Sequence, residues 1–145
     1  MSTGVTSIRF ATAALLSAAL ITACATTRDA TPLTNTYWRL THLGGTQALP
    51  DMSSRQPHLR FDGARVTGAT GCNTLGGSYE QTGDGLRFGP LATTRMACVE
   101  AARNQQEQQF TAALAATDRY EITGDSLTLY AGTAARARFV AVPGR

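Results

Sequence analysis

Lysine is absent from this 145-residue chain, and all thirteen of its basic residues are arginine. That bias fits GC-rich coding better than a particular chemistry, although guanidinium groups do favour forked contacts with carboxylate and phosphate. Net charge is scarce as well: the formal +3 falls to +2 when Arg9 leaves with a leader, because 12 arginines then face 10 acids. So small an excess argues against nucleic acid as a partner. No uncharged apolar run reaches the roughly 20 residues that a permanent spanning helix needs. Internal repeats and low-complexity blocks are missing too. What remains, 43% hydrophobic residues with 14 glycines, is the composition of a chain that buries a core. Its length leaves room for one domain.

Phe10 to Ala23 carries only small and apolar side chains, behind a polar segment whose single charge is Arg9. Residues 1–23 therefore read as a signal peptide. The run ends Ile21-Thr22-Ala23-Cys24, which resembles the bacterial lipobox, where the cysteine is diacylated before cleavage ahead of it. An ordinary signal with a chance cysteine is the plainer alternative, but the polar stretch from Thr26 begins where a lipoprotein tether should. At about 0.8 kcal/mol per buried methylene, two or three acyl chains, palmitate among them, would hold Cys24 in a membrane essentially permanently. Ala25 stands where an Asp would favour inner-membrane retention, so the expected location is the outer membrane, facing the periplasm. Ala25 to Asn35 lacks periodicity and reads as a tether, giving an acylated N-terminal segment over 24–35 and a domain over 36–142.

Within the domain, short alternating segments are separated by glycine-containing turns, the pattern of antiparallel strands. Trp38, Leu40 and His42 are expected on one face of a first strand. Leu59 and Phe61 mark a second, and Asp62-Gly63 turns into a third through Val66. Tyr79, Leu86 and Phe88 flank the Gly83-Asp84-Gly85 turn. Tyr120 and Ile122 precede Gly124-Asp125, Leu127 and Leu129 follow it, and Phe139 lies on a last strand. Between these groups, about Val99 to Thr117 lacks Gly and Pro and places Phe110, Ala113 and Leu114 at i, i+3 and i+4, which predicts one helix. Its polar half, Asn104 to Gln109, is expected to be a solvated face. The fold class is α+β, with seven or eight strands.

Cys72 and Cys98 are the two thiols left after lipidation, and beyond the inner membrane such a pair is expected to be oxidised to a disulfide. A redox dithiol and a metal site are the alternatives. Redox pairs usually sit two residues apart, and a structural zinc wants four ligands where only two thiols and the distant His42 and His58 are offered. No nucleophile elbow, phosphate loop or carboxylate pair stands out, so no catalytic residue, metal or cofactor is assigned. Arg95 is a candidate contact for an anion or a partner, or a pin for the connection into the helix. Arg136 and Arg138 share a strand face that could meet lipid headgroups or anionic sugars; on an edge strand they would instead block sheet-to-sheet pairing.

Gly71-Cys72-Asn73 with Tyr79, then Leu91-Ala92, Thr94-Arg95-Met96 and Cys98, then Gln108, Phe110 and Leu114, resemble the META domain of HslJ-type heat-shock lipoproteins. Trp38, Leu40, Leu127 and Leu129 also fit. The resemblance implies a cracked-barrel-like antiparallel sheet with one packed helix, joined cysteines, and membership of a stress-associated group with no established reaction. Members have been connected with heat shock, novobiocin resistance, secretion and motility. Asn73 matches the pattern, and its expected role is to satisfy backbone groups in the turn after Cys72. The function expected is that of a non-enzymatic envelope lipoprotein that binds an envelope protein or another partner. A carrier of small hydrophobic ligands is the alternative, to be separated from it by whether Trp38, Phe61, Phe88, Phe110 and Phe139 fill the interior or line a cavity.

Overall fold

Period-two alternation organises almost the whole domain, because apolar side chains at every second residue put one face of each strand inward. The computed structural model describes Met1 and residues 30–50, 55–96 and 98–145; the leader, Cys24 and the start of the tether lie outside these. Strands β1 (Trp38–Leu43), β2 (Thr46–Gln47), β3 (His58–Asp62), β4 (Arg65–Ala69), β5 (Thr74–Thr82) and β6 (Gly85–Thr93) come first. Helix α1 (Ala101–Ala115) follows, and β7 (Arg119–Thr123), β8 (Ser126–Ala131) and β9 (Ala134–Ala141) complete the chain. The expected α+β class holds, with nine strands among the described residues once the two-residue β2 is included.

Consecutive strands from β3 onward pair antiparallel, and β9 returns to pair with β1, so the sheet closes into a ring. β2 stays outside the ring as a short hairpin arm on β1. The ring is not regular. β6 and β7 share one register pair, Gly85 with Arg119, whereas β5 and β6 pair along most of their length. Gly63 takes a φ of 54° in the β3–β4 turn, a left-handed conformation that glycine enters without steric cost. Gly68 serves a different purpose: a Cβ there would collide with the His58 carbonyl on β3, so only glycine allows the two strands to approach this closely.

Inside the ring, Trp38, Leu59, Phe61, Val66, Leu86, Leu127, Leu129 and Phe139 are essentially inaccessible. α1 contributes Phe110, Ala113 and Leu114 to the same core. Aromatic rings meet one another there, with Phe61 edge-on to Tyr79 at 5.0 Å and Phe110 tilted 5.9 Å from Phe139. The interior aromatics are thus spent on mutual packing.

Three expectations change. The domain begins before Thr36: Leu33 is buried, its carbonyl accepts from the Trp38 indole at 2.9 Å, and Thr31 N–H donates to the Gly124 carbonyl at 3.1 Å. In β1, a register shift between Leu40 and His42 turns Leu43 inward in place of His42. The polar half of α1 is not simply solvated, since Gln106 is buried and accepts from Leu49 N–H at 2.6 Å. Among the described residues, no helix is long and apolar enough to cross a membrane.

Candidate functional site

At one end of the ring, the β4–β5 turn meets the connection between β6 and α1. Cys72 and Cys98 are joined there, with Cα atoms 5.8 Å apart. Beside them, the buried Asn73 side chain uses both of its ends. Its Oδ1 accepts from Thr94 Oγ1 at 2.8 Å and from Met96 N–H at 2.7 Å. Its Nδ2 donates to the Met96 carbonyl at 3.0 Å and to Glu107 Oε1 at 2.7 Å. Asn73 therefore satisfies backbone groups as expected of it, but those of Met96 rather than those of its own turn.

Glu107 reaches this cluster from α1. Its Oε1 also accepts from the buried Thr70 hydroxyl at 2.6 Å, and its Oε2 lies 3.8 Å from Cys98 Sγ. A disulfide sulfur has no proton to give, so this last contact is not a hydrogen bond. Asn104, one turn earlier, accepts from Cys98 N–H and donates to the Cys98 carbonyl, both at 3.1 Å. These two bonds tie the chain ahead of α1 to the helix itself, while Glu100 at the N-cap position makes no side-chain cap. Cys72, Cys98 and Glu107 bring ligand atoms within 4.8 Å of one another, but bonded sulfurs offer no thiolate. The oxidised site thus presents one carboxylate and does not fit the donor set a zinc ion wants.

The rim of this cluster is exposed. Met96 and Val99 face solvent, as does Arg95, and Arg55 Nη1 donates to the Cys72 carbonyl at 2.9 Å. Thr70, Asn104, Gln106 and Glu107 were missed in the sequence, yet a signal existed. Gln106 precedes Phe110 and Ala113 by four and seven residues, and Glu107 precedes Phe110 and Leu114 by three and seven. Both spacings fall on the buried side of a helix.

Arg136 and Arg138 lie elsewhere, both exposed on β9. They do not guard an edge, because β9 is paired on both sides, with β8 and with β1. His42 is opposite Arg138, and its buried Nδ1 has no hydrogen-bond partner among the described residues. His58 is stacked on Tyr37 at 4.3 Å, and its Nδ1–H donates to the Gln56 carbonyl at 2.7 Å. Neither of these contacts joins a histidine to a carboxylate.

Burial holds His58 below its ordinary 6.5; Arg60 and Arg145 add to the lowering, against the opposing pull of the Gln56 carbonyl. The unfolded chain therefore takes up this proton at higher pH than the folded one. The stability contributed by the neutral ring is complete above about 6.5 and declines as pH falls from there to the folded value. Urea midpoints measured at about pH 7.5 and 5 should show the decline, and His58→Gln should flatten it. An equal slope in the variant would remove His58 as its source.

A family model described as the META domain matches residues 31–143. The chain belongs to the META domain family. That match starts at Thr31, where the packed body also starts. A protein from Burkholderia xenovorans solved by NMR is similar at 25% identity and a TM-score of 0.62, over 77% of this chain and 84% of that one. A second NMR structure, at 21% identity and a TM-score of 0.60, covers 74% of this chain and 91% of its own; it supports the fold alone. No curated protein matches.

Proposed function

We propose that this META domain protein is a non-enzymatic lipoprotein of the cell envelope, held by acylated Cys24 in the outer membrane and facing the periplasm. It acts in envelope stress through binding at its surface, with an envelope protein as the candidate partner. The observation that carries this reading is the Cys72–Cys98 bridge. Of three cysteines, two are consumed inside the domain by a bond that persists in oxidising compartments. Cys24 is left as the thiol for acylation, at the position the lipobox-like sequence marks. Mutual packing of Phe61, Tyr79, Phe110 and Phe139 speaks for surface binding over carriage of a ligand inside the ring.

Growth with alkyne-tagged palmitate tests the anchor. The protein should take up label and sediment with membranes, and Cys24→Ser should abolish both. Label retained by the variant, or an unprocessed chain carrying free sulfhydryls at all three cysteines, would overturn the reading.

A further inference from the structure

The arginines are segregated by strand. The four neighbouring strands β9, β1, β3 and β4 carry Arg136, Arg138, Arg39, Arg60 and Arg65, and Asp62 is their one acidic residue. The other long strands, β5 to β8, are balanced, with Arg87 and Arg119 against Glu80 and Glu121. Register places the five arginines on one surface. Arg39 is opposite Val140 and His58, Arg138 is opposite His42, Arg60 is opposite Thr67, and Arg65 is opposite Asp62. Their alternating neighbours Leu40, Leu59, Phe61, Val66, Ala137 and Phe139 point into the core, so the arginines point out. Arg145 extends the surface, its guanidinium 5.7 Å from the Tyr37 ring that also meets Arg60 at 5.2 Å. Among the described residues, the ion pairs are those of Arg103 and Arg119, away from this face.

We infer that the outer face of β9, β1, β3 and β4 docks on an anionic phospholipid bilayer. An array of unpaired guanidiniums on a sheet surface matches a plane of phosphates better than it matches a compact ligand, which would need a concave site. Reach supports the same occupant. Six residues separate Cys24 from Thr31, which enters the packed body at the Gly124 carbonyl, and the seven Cα-to-Cα steps of that span extend at most about 25 Å. A domain tethered so closely meets headgroups continually, and the basic face decides which side it presents. This deepens the anchoring reading and rests on it for the tether argument.

The test uses the full chain with Cys24→Ser, which cannot be acylated, and vesicles of phosphatidylcholine alone or with 30% phosphatidylglycerol. The apolar leader segment contributes alike to both, so their difference reads charge. Anionic vesicles should bind far more tightly, and the preference should shrink with added salt. Each surface arginine contributes about fivefold in partitioning. R39Q/R136Q/R138Q should therefore lose roughly 100-fold, whereas R87Q/R95Q/R103Q should lose much less. R39K/R136K/R138K should keep the binding, because a bilayer reads charge, and it serves as the folded control should the glutamine variant melt early. Equal binding to both vesicles, equal loss in the two glutamine variants, loss in the lysine variant, or capture of soluble poly-glutamate in preference to vesicles would each overturn the inference. Palmitate labelling is independent of this outcome, so failure here and failure of the anchor are distinguishable.

Discussion

Replacing both Cys72 and Cys98 by alanine is expected to lower the melting temperature by about 15 °C or more, from a loss near 3.5 kcal/mol. The bridge spans a sequence separation of 26, and loop-closure entropy for that length gives the energy quoted. The closed loop contains β5 and β6 entire, so the constraint acts on the longest hairpin of the ring as well as on its junction with α1. Melting followed by circular dichroism without reductant is the measurement. The parent under strong reductant should approach the variant. A variant that melts with the parent would show that the bridge contributes nothing to stability.

Asn73→Ala should cost about 3 kcal/mol, because a buried donor and acceptor pair disappears and leaves its former partners without replacements. The amide and carbonyl of Met96 and the Thr94 hydroxyl proton are stranded, and Glu107 Oε1 loses one of its two donors. Asn73→Asp should be worse near neutral pH, since it puts a second carboxylate against Glu107 and has no proton to donate to it. Glu107→Gln keeps an acceptor for Thr70 and Asn73 and should cost less than Asn73→Ala. Denaturant midpoints rank the three. An Asn73→Ala loss below about 1 kcal/mol would mean that water replaces the side chain. Because Asn73 adjoins Cys72, its effect and that of the disulfide should not add.

Much of this architecture was legible because strands announce themselves by alternation. Leu59 with Phe61, Tyr120 with Ile122 and Leu127 with Leu129 fell where their period placed them, and the Asp62-Gly63 and Gly124-Asp125 turns were readable from residue type. What stayed hidden depends on contacts distant in sequence. Leu33 looks like tether until Trp38 claims its carbonyl. His42 and Leu43 exchange faces through an irregularity in pairing with β9, and alternation alone cannot register that. Gln106 and Glu107 read as solvated because their chemistry is polar, although their spacing from Phe110 placed them inward. Cys72, Cys98 and Asn73 were picked out from the sequence. The acceptor that unites them with the helix, Glu107, was not.

Closure of the sheet by its first and last strands sets the order in which this molecule can be completed. Trp38 faces Ala141, a pairing across nearly the whole length of the domain, so the ring stays open until its final residues are available. A ribosome that still holds the C-terminal tail therefore holds back the core, and Trp38 must wait exposed. Topologies of such long sequence range assemble slowly. The eight residues of β9 act as the latch of the domain, and a chain ending before Ala134 would retain hairpins without a closed interior.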